Sequence, residues 1–402
     1  MNRGFYIILI AQFLSALADN ALLFTAIALL TQLKAPDWYT PILQSVFVVS
    51  FVALAPFVGS FADSLPKGRV MFISNGIKFA GSFSMLLGVP PLYAYAVVGT
   101  GAAFYSPAKY GILTEYLPHD QLVAANGWME GTTVAAIILG ALIGSMFGSP
   151  YLGNVVSEHF GYALTSPYLG MMFTTGLYLA AAGFNYYIPR LPPNHAMEKK
   201  TLPYLLHDFW KAFIALWRDP QGRISLAVTT LFWGAGATMR LVVLAWAAVA
   251  LNFGLDKATK LTAMVAIGIA FGAVFAAKYI KLQESVKVLP AGILMGVLVA
   301  GLVLISNVYV AAVVLFLVGV LAGYFVVPLN ALLQHRGHIL IGPGHSIAVQ
   351  NFNENIGILV MSNVYTWMVH AEMSIMSIVV IFGAFVSLSM SLIYRMYLNQ
   401  QQ

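Results

Sequence analysis

Long apolar stretches alternate with short polar segments along the whole chain, and this alternation predicts a membrane protein. A transmembrane α-helix needs roughly 20 consecutive apolar residues, and we count twelve such stretches in the sequence. The predicted helices lie near residues 5–33, 41–62, 70–89, 92–110, 121–148, 166–188, 224–251, 259–280, 288–306, 308–333, 345–370 and 373–395. We therefore predict an all-α membrane protein.

The longest polar interval divides the predicted helices into two groups of six. It covers residues 189–223, and it leaves an N-terminal half at 1–188 and a C-terminal half at 224–402. Within the interval, residues 204–217 have the pattern of an amphipathic helix. This helix either meets lipid headgroups or lies on the protein as a solvated linker.

Composition and charge support a membrane domain and give it an orientation. The chain is 60% hydrophobic and 8% charged, and it has no cysteine, which excludes disulfides, thiolate metal sites and cysteine nucleophiles. If the N-terminus is cytoplasmic, the loops on the outer side of the membrane contain only three basic residues, Lys34, Lys257 and Lys260. Because basic residues gather on the cytoplasmic side, we predict that both termini are cytoplasmic. The predicted cytoplasmic basic residues are Arg3, Lys67, Arg69, Lys109, Arg190, Lys199, Lys200, Lys211, Arg218, Arg223, Lys278, Lys281, Lys287, Arg336 and Arg395.

Four ionisable residues interrupt the apolar stretches: Asp19, Glu130, Arg240 and Glu354. A charged side chain near the bilayer centre costs roughly 2.5–3.5 kcal/mol on insertion scales, so it persists mainly where it faces a cavity or a partner. We therefore expect these residues to belong to a transport pathway, with a structural ion pair as the alternative.

Their depths divide the four charges into two pairs. Asp19 lies roughly 21 Å along the first helix and Arg240 roughly 24 Å along the seventh, so we predict that they pair in the outer half. Glu130 and Glu354 lie only about 13 Å from the cytoplasmic ends of the fifth and eleventh helices. Two such carboxyl groups either hold a cation or headgroup amine, or stay neutral.

Other polar residues near these charges are candidates for the same site. The neutral candidates are Asn20, Asn126, Asn330 and Gln350, whose groups are of the kind that fix a polar headgroup. Lys109 is placed to meet a phosphate or simply follows the basic bias of cytoplasmic loops. We interpret Lys78 mainly as a structural contact with a neighbouring helix. All eight histidines fall in loops or at helix ends, so we expect no histidine proton relay through the spans.

A loop between the second and third helices resembles a family signature. Residues 59–63, Gly-Ser-Phe-Ala-Asp, followed by Lys67 and Arg69, are similar to the cytoplasmic loop of the major facilitator superfamily, although Pro66 replaces the usual glycine. The resemblance implies that Asp63, Lys67 and Arg69 form a conformational loop, with Asp63 paired to Arg69. It also implies the major facilitator fold, in which two six-helix halves are related as repeats.

Four stretches carry a closer resemblance. Residues 11–24, 105–113, 231–236 and 326–334 closely resemble the bacterial lysophospholipid transporters, and the resemblance covers nearly the whole chain. It implies a flippase of the bacterial inner membrane, which moves lysophosphatidylethanolamine and lysophosphatidylglycerol from the outer to the inner leaflet. It further implies lateral access for the lipid, and phospholipid repair by a partner acyl-carrier-protein synthetase/acyltransferase.

Two alternatives come from the residues themselves. Buried carboxyl groups on the same fold would also serve a proton-coupled exporter of drugs or other amphipathic solutes, because fold alone does not settle the substrate. A membrane-bound acyltransferase or lipase is disfavoured, since the sequence has no G-x-S-x-G elbow and no metal-ligand cluster. We expect no enzymatic activity, cofactor, metal or nucleic-acid partner, and a monomer.

Overall fold

The computed structural model of the protein describes residues 3–36, 39–160, 165–189, 191–192 and 201–399. These residues form fourteen α-helices and three short 3-10 segments, with no strand among the described parts of the chain. The helices are α1 (Arg3–Gln32), α2 (Tyr39–Ser64), α3 (Lys67–Leu86), α4 (Pro91–Tyr116), α5 (Leu122–Met146), α6 (Pro150–Phe160), α7 (Ser166–Tyr186), α8 (Leu202–Arg218), α9 (Pro220–Ala250), α10 (Leu255–Tyr279), α11 (Leu289–Gly301), α12 (Val308–Leu340), α13 (Pro343–His370) and α14 (Ile375–Leu398).

Eleven of the predicted spans each coincide with one long helix, and the predicted amphipathic helix coincides with α8. The span near 288–306 coincides with α11, whose 13 residues are extended at both ends by 3-10 segments. Two ends were predicted too early: α4 continues to Tyr116 and α12 to Leu340, past Pro107 and Pro328, which lie inside these helices. Proline is tolerated there because neighbouring groups in a membrane helix bundle can satisfy the freed carbonyl. Helix α6 was not predicted, because its eleven residues are too few to cross a membrane and form no long apolar stretch.

Eight of the described helical segments are long and apolar enough to cross a membrane by length and composition alone. The other four long helices are α3, α4, α7 and α13. Helix α3 carries Lys78 in its interior, and α13 carries Glu354. Polar interiors of this kind are expensive in lipid and therefore mark candidate functional helices.

The chain forms two compact units. The first comprises Met1–Tyr116, Ala135–Lys211 and Gly342–Asn351, and the second comprises Leu117–Val134, Ala212–Ile341 and Phe352–Gln402. Each half of the sequence thus lends the beginning of its fifth long helix, α5 or α13, to the other unit. This correspondence agrees with the predicted repeat, whose division at 189–223 stays a prediction. Arg190, Lys199 and Lys200 of that interval lie outside the described residues.

Apolar clusters hold the first unit together. One cluster joins Leu22 of α1, Met85 of α3, Tyr95 of α4 and Tyr178 of α7, all nearly fully buried. A second cluster around Met71 joins α1, α2, α3 and α4. The polar residues described below lie on these same helices, so the surrounding apolar packing fixes their positions.

Glycines bring the helices of the second unit into close contact. A Cβ atom at Gly272 of α10 would lie 2.0 Å from the carbonyl oxygen of Val320, and one at Gly319 of α12 would lie 2.1 Å from that of Val265. Any larger residue at either position would push the two helices apart. Gly268 and Gly272 are four residues apart on α10, a spacing of small residues that lets two membrane helices pack closely.

Candidate functional site

Asp19 sits at the centre of a polar cluster in the first unit. The Lys78 ammonium lies 2.7 Å from one carboxylate oxygen of Asp19, and the Tyr178 hydroxyl donates to the other oxygen at 2.8 Å. Lys78 also donates to the Ser15 hydroxyl at 3.0 Å, and Ser15 donates to the side-chain Oδ1 atom of Asn75 at 2.7 Å. These five residues, called the Asp19 cluster below, join α1, α3 and α7.

The Asp19 cluster is built asymmetrically. The side chain of Lys78 is 1% exposed, whereas that of Asp19 is 20% exposed. A carboxylate has about four lone-pair positions for hydrogen bonds, and Lys78 and Tyr178 occupy one on each oxygen. The buried ammonium of Lys78 therefore binds one side of the carboxylate. The exposed side of the carboxylate can accept a hydrogen bond from a further donor.

A second polar cluster joins α5 and α12 in the second unit. The amides of Asn126 and Gln334 donate to each other, at 2.9 and 2.8 Å. One helical turn further along, the Asn330 amide donates to the Glu130 carboxyl at 3.4 Å. We call these four residues the Asn126 cluster. Glu354 of α13 belongs to the same unit and is 7% exposed.

The loop between α2 and α3 is fixed by Asp63. Its carboxylate, 1% exposed, accepts hydrogen bonds from Lys67 at 2.7 Å and from the backbone amides of Gly344 and His345 at 2.7 and 3.0 Å. The predicted pairing of Asp63 with Arg69 is wrong for this structure, in which Arg69 is exposed. Asp63 lies at the end of α2 and Lys67 begins α3, so the short turn between the two helices brings the Lys67 ammonium to the Asp63 carboxylate.

The comparisons with known proteins agree on one family. Residues 8–362 match the Major Facilitator Superfamily. The chain belongs to this superfamily. The predicted fold class, an all-α membrane protein with the major facilitator fold, is thereby confirmed, and the protein is a multi-pass membrane protein of a transporter superfamily rather than an enzyme.

Sequence relatives within the superfamily share one name. The lysophospholipid transporter LplT of Serratia proteamaculans (strain 568) is 46% identical over 368 residues, which cover 91% of this chain and 88% of the relative. The protein of the same name from Yersinia enterocolitica is 45% identical, over 91% of this chain and 87% of the relative. The resemblance predicted from the sequence is confirmed.

Solved structures of other superfamily members share the fold at low identity. The human organic anion transporter MFSD10 superposes with a TM-score of 0.75 and 15% identity, over 98% of this chain and all of that one. FucP in the outward conformation gives a TM-score of 0.76 and 13% identity, over 100% of this chain and 99% of that one.

The structure brings some of the predicted site residues together. It joins Asn126, Glu130 and Asn330, and it places Asp19 against Lys78. Lys78 of α3 does contact a neighbouring helix, α1, and the contact is an ion pair with Asp19. Arg240 lies in the second unit and is exposed, and its pairing with Asp19 stays a prediction.

The remaining candidates are placed as follows. The Asn20 amide donates to the carbonyl of Ala16 in its own helix at 2.8 Å. The Lys109 ammonium lies 4.6 Å from the ring centre of Tyr110, and Lys109 is 8% exposed. Gln350, 5% exposed, belongs to the part of α13 in the first unit. Their roles in substrate binding or gating stay predictions.

Sequence reasoning missed Gln334 and His345 as functional candidates. Gln334 lies four residues after Asn330, as Glu130 lies four after Asn126. A spacing of four residues places each pair of polar side chains on one face of its helix, and this was the signal that would have found Gln334. For His345, the sequence places a histidine at a helix end and gives no hint of the carboxylates it meets.

Proposed function

We propose that this protein is a lysophospholipid transporter of the bacterial inner membrane. It moves lysophosphatidylethanolamine and lysophosphatidylglycerol from the outer to the inner leaflet by alternating access, with lateral access for the single acyl tail. The observation that carries the proposal is the Asp19 cluster. It presents a carboxylate with open acceptor positions on a chain whose sequence relatives are named lysophospholipid transporters.

The headgroup chemistry fits this cluster. The ammonium of a phosphoethanolamine and the hydroxyls of a phosphoglycerol are both donors, and the open side of Asp19 accepts donors. Because Lys78 compensates the charge of Asp19, the site binds the ammonium or hydroxyl donors of either headgroup without adding an uncompensated negative charge. Lys109 and Arg240 supply the cations that the phosphate requires.

Lys78 is a positioning residue in this scheme, because it fixes the carboxylate that meets the headgroup. Asp19 then exchanges partners during transport: Lys78 holds it in this structure, and Arg240 competes for the open side in the predicted gate. Glu130, hydrogen-bonded to Asn330, and Glu354 form a second polar station nearer the cytoplasm. The headgroup passes between the two stations while its tail stays in an apolar environment.

The proposal includes the cellular setting. Both termini are cytoplasmic, and the protein acts as a monomer. A partner acyl-carrier-protein synthetase/acyltransferase then restores the missing acyl chain on the delivered lipid. The sequence relatives and the asymmetry of basic residues support this setting.

A leaflet-resolved assay tests the function. Purified protein in liposomes is given fluorescent lysophosphatidylethanolamine, and the label in each leaflet is measured by quenching from outside. We expect transfer by the parent protein, loss of transfer in Asp19→Asn, and parental transfer in the control Lys287→Gln, since Lys287 is exposed and paired only with Glu284 on the surface.

The same liposomes distinguish the alternative function. Under an imposed pH gradient, a proton-coupled exporter would move a cationic drug while the labelled lysophospholipid stayed in its original leaflet. That pair of results would overturn the proposal. Transfer of the lipid, abolished by Asp19→Asn and unaffected by Lys287→Gln, would support it.

A further inference from the structure

His345, at the start of α13, lies between two carboxylates from different helices. Its Nδ1 atom is 2.7 Å from Asp63 of α2, and its Nε2 atom is 2.8 Å from Asp208 of the amphipathic helix α8. The hydroxyl of Ser60 lies 3.1 Å from the same Nε2 atom. All of these residues belong to the first unit.

The geometry fixes the protonation of the imidazole. An ionised carboxylate accepts hydrogen bonds and donates none, whereas a neutral imidazole has one donor nitrogen and one acceptor nitrogen. Both ring nitrogens of His345 face carboxylates, so both must carry a proton. The arrangement requires the imidazolium form.

The surrounding charges favour the same form. Asp63 also binds the buried Lys67, which lies 3.2 Å from Glu115 of α4. Lys211 of α8 acts on Asp208 from its solvent side. If His345 were neutral, the carboxylates of Asp63, Asp208 and Glu115 would be balanced only by Lys67 and Lys211 among the groups described above. The negative charge of one carboxylate would then lack a counter-charge.

The backbone around His345 leaves little room for adjustment. A Cβ atom at Gly344 would lie 2.6 Å from a carboxylate oxygen of Asp63, and one at Gly59 would lie 3.0 Å from the Cα atom of His345. The backbones of helices α2 and α13 therefore approach each other as closely as glycine residues allow. The backbone of His345 is therefore held close to α2, and its own amide donates to Asp63 at 3.0 Å.

Asp208 stays ionised over the relevant pH range. The hydrogen bond from His345 holds the pKa of the Asp208 carboxyl below its ordinary value, against the opposing effect of partial burial. Since this carboxylate is already ionised at neutral pH, the proton that changes between neutral and alkaline pH is the one on the imidazole.

We propose that His345 and Asp208 form a proton-dependent clasp that ties the amphipathic helix α8 to the ends of α2 and α13. The clasp holds while Asp208 is ionised and His345 is protonated. It loosens as the pH rises and the imidazole loses one of its two donors. Because α8 leads directly into α9, the clasp restrains the segment between the two halves of the sequence. It does so whichever solute the protein carries.

The absence of cysteine makes a distance measurement straightforward. Cysteines introduced at Leu206 of α8 and at Tyr187, after the end of α7, are both at exposed positions and take nitroxide labels. In lipid nanodiscs without substrate, we expect a narrow distance distribution at about pH 6 and a loss of that population at about pH 10.5. The loss needs a strongly alkaline pH because two charge-assisted hydrogen bonds to carboxylates stabilise the imidazolium.

Variants assign the response to the clasp. Asp208→Asn is expected to lack the narrow population at both pH values, and His345→Gln is expected to make the distribution independent of pH. The matched control is His207→Gln, which removes an exposed histidine one residue from Asp208 and should behave like the parent. If the parent distribution did not change with pH, or if Asp208→Asn kept the parental change, the clasp would be disproved.

Discussion

The Asp19 cluster and the Asn126 cluster bury polar groups in two different ways. In the first unit, a buried ammonium compensates a carboxylate, with lysine 1% and aspartate 20% exposed. In the second unit, the neutral amides of Asn126 and Gln334 each donate a hydrogen bond to the other. The Asp19–Lys78 pair is ionic and open on one side, whereas the Asn126–Gln334 pair is neutral and closed.

The difference matters when one partner is removed. A buried charge that loses its counter-charge keeps its full desolvation cost, whereas a lone amide keeps only the cost of unmade hydrogen bonds. An ion pair that is exposed on one side can also bind a new charged partner. A buried pair of amides has no net charge with which to attract one. We therefore expect the Asp19 cluster to respond to the substrate and the Asn126–Gln334 pair to join α5 to α12.

The largest expected effect comes from Lys78→Met. This substitution fills a similar volume but leaves Asp19 without its cation, and losing one partner of a buried pair typically costs about 3–5 kcal/mol. We expect a marked fall in the thermal unfolding midpoint of the purified protein in detergent, monitored by the fluorescence of its tryptophans.

The double variant Asp19→Asn with Lys78→Met is the control for that loss. It removes both charges, so it should regain much of the stability while staying inactive in lysophospholipid transfer. If the single variant were as stable as the parent, Lys78 would not be the counter-charge of Asp19. If the double variant were no better than the single one, packing rather than charge would explain the loss.

A smaller effect is expected from Asn126→Ala. The substitution leaves the buried Gln334 amide without its partner, at a cost of about 1–3 kcal/mol. Asn363→Ala is a suitable control, because the Asn363 amide is exposed and bonds only to a carbonyl of its own helix; it should change stability by less than about 0.5 kcal/mol. Equal unfolding midpoints for the two variants would contradict the assignment of Asn126 to a closed pair.

Much of the fold follows from the sequence, because a membrane helix satisfies its backbone internally and needs a fixed apolar length. The twelve spans were predicted on that basis, and α8 was predicted from its amphipathic pattern. Helix α6 was not, since a short helix outside the apolar spans leaves no such signal. The contribution of α5 and α13 to opposite units also has no local signal, because it depends on which helices pack together.

The candidate site was less predictable for the same reason. Apolar context identifies Asp19 as a charge that needs a partner, but Lys78 and Arg240 meet that need equally well in the sequence. Only packing of α3 against α7 and of α7 against α1 places Lys78 beside Asp19. The role of His345 likewise depends on α2, α8 and α13 meeting at one point.

The smallest effect is expected from replacing both amides of the Asn126 cluster at once, with Asn126→Leu and Gln334→Met. Removing both partners of a hydrogen-bonded pair and filling the space with apolar groups of similar size can be nearly neutral, and volume-conserving apolar replacements usually cost less than about 1.5 kcal/mol. The unfolding midpoint should therefore lie closer to that of the parent than Asn126→Ala does. Lysophospholipid transfer should persist, because Glu130 and Asn330 keep their hydrogen bond one turn away. Loss of transfer in a stable double variant would instead place these amides in the substrate pathway and remove the contrast between the two clusters.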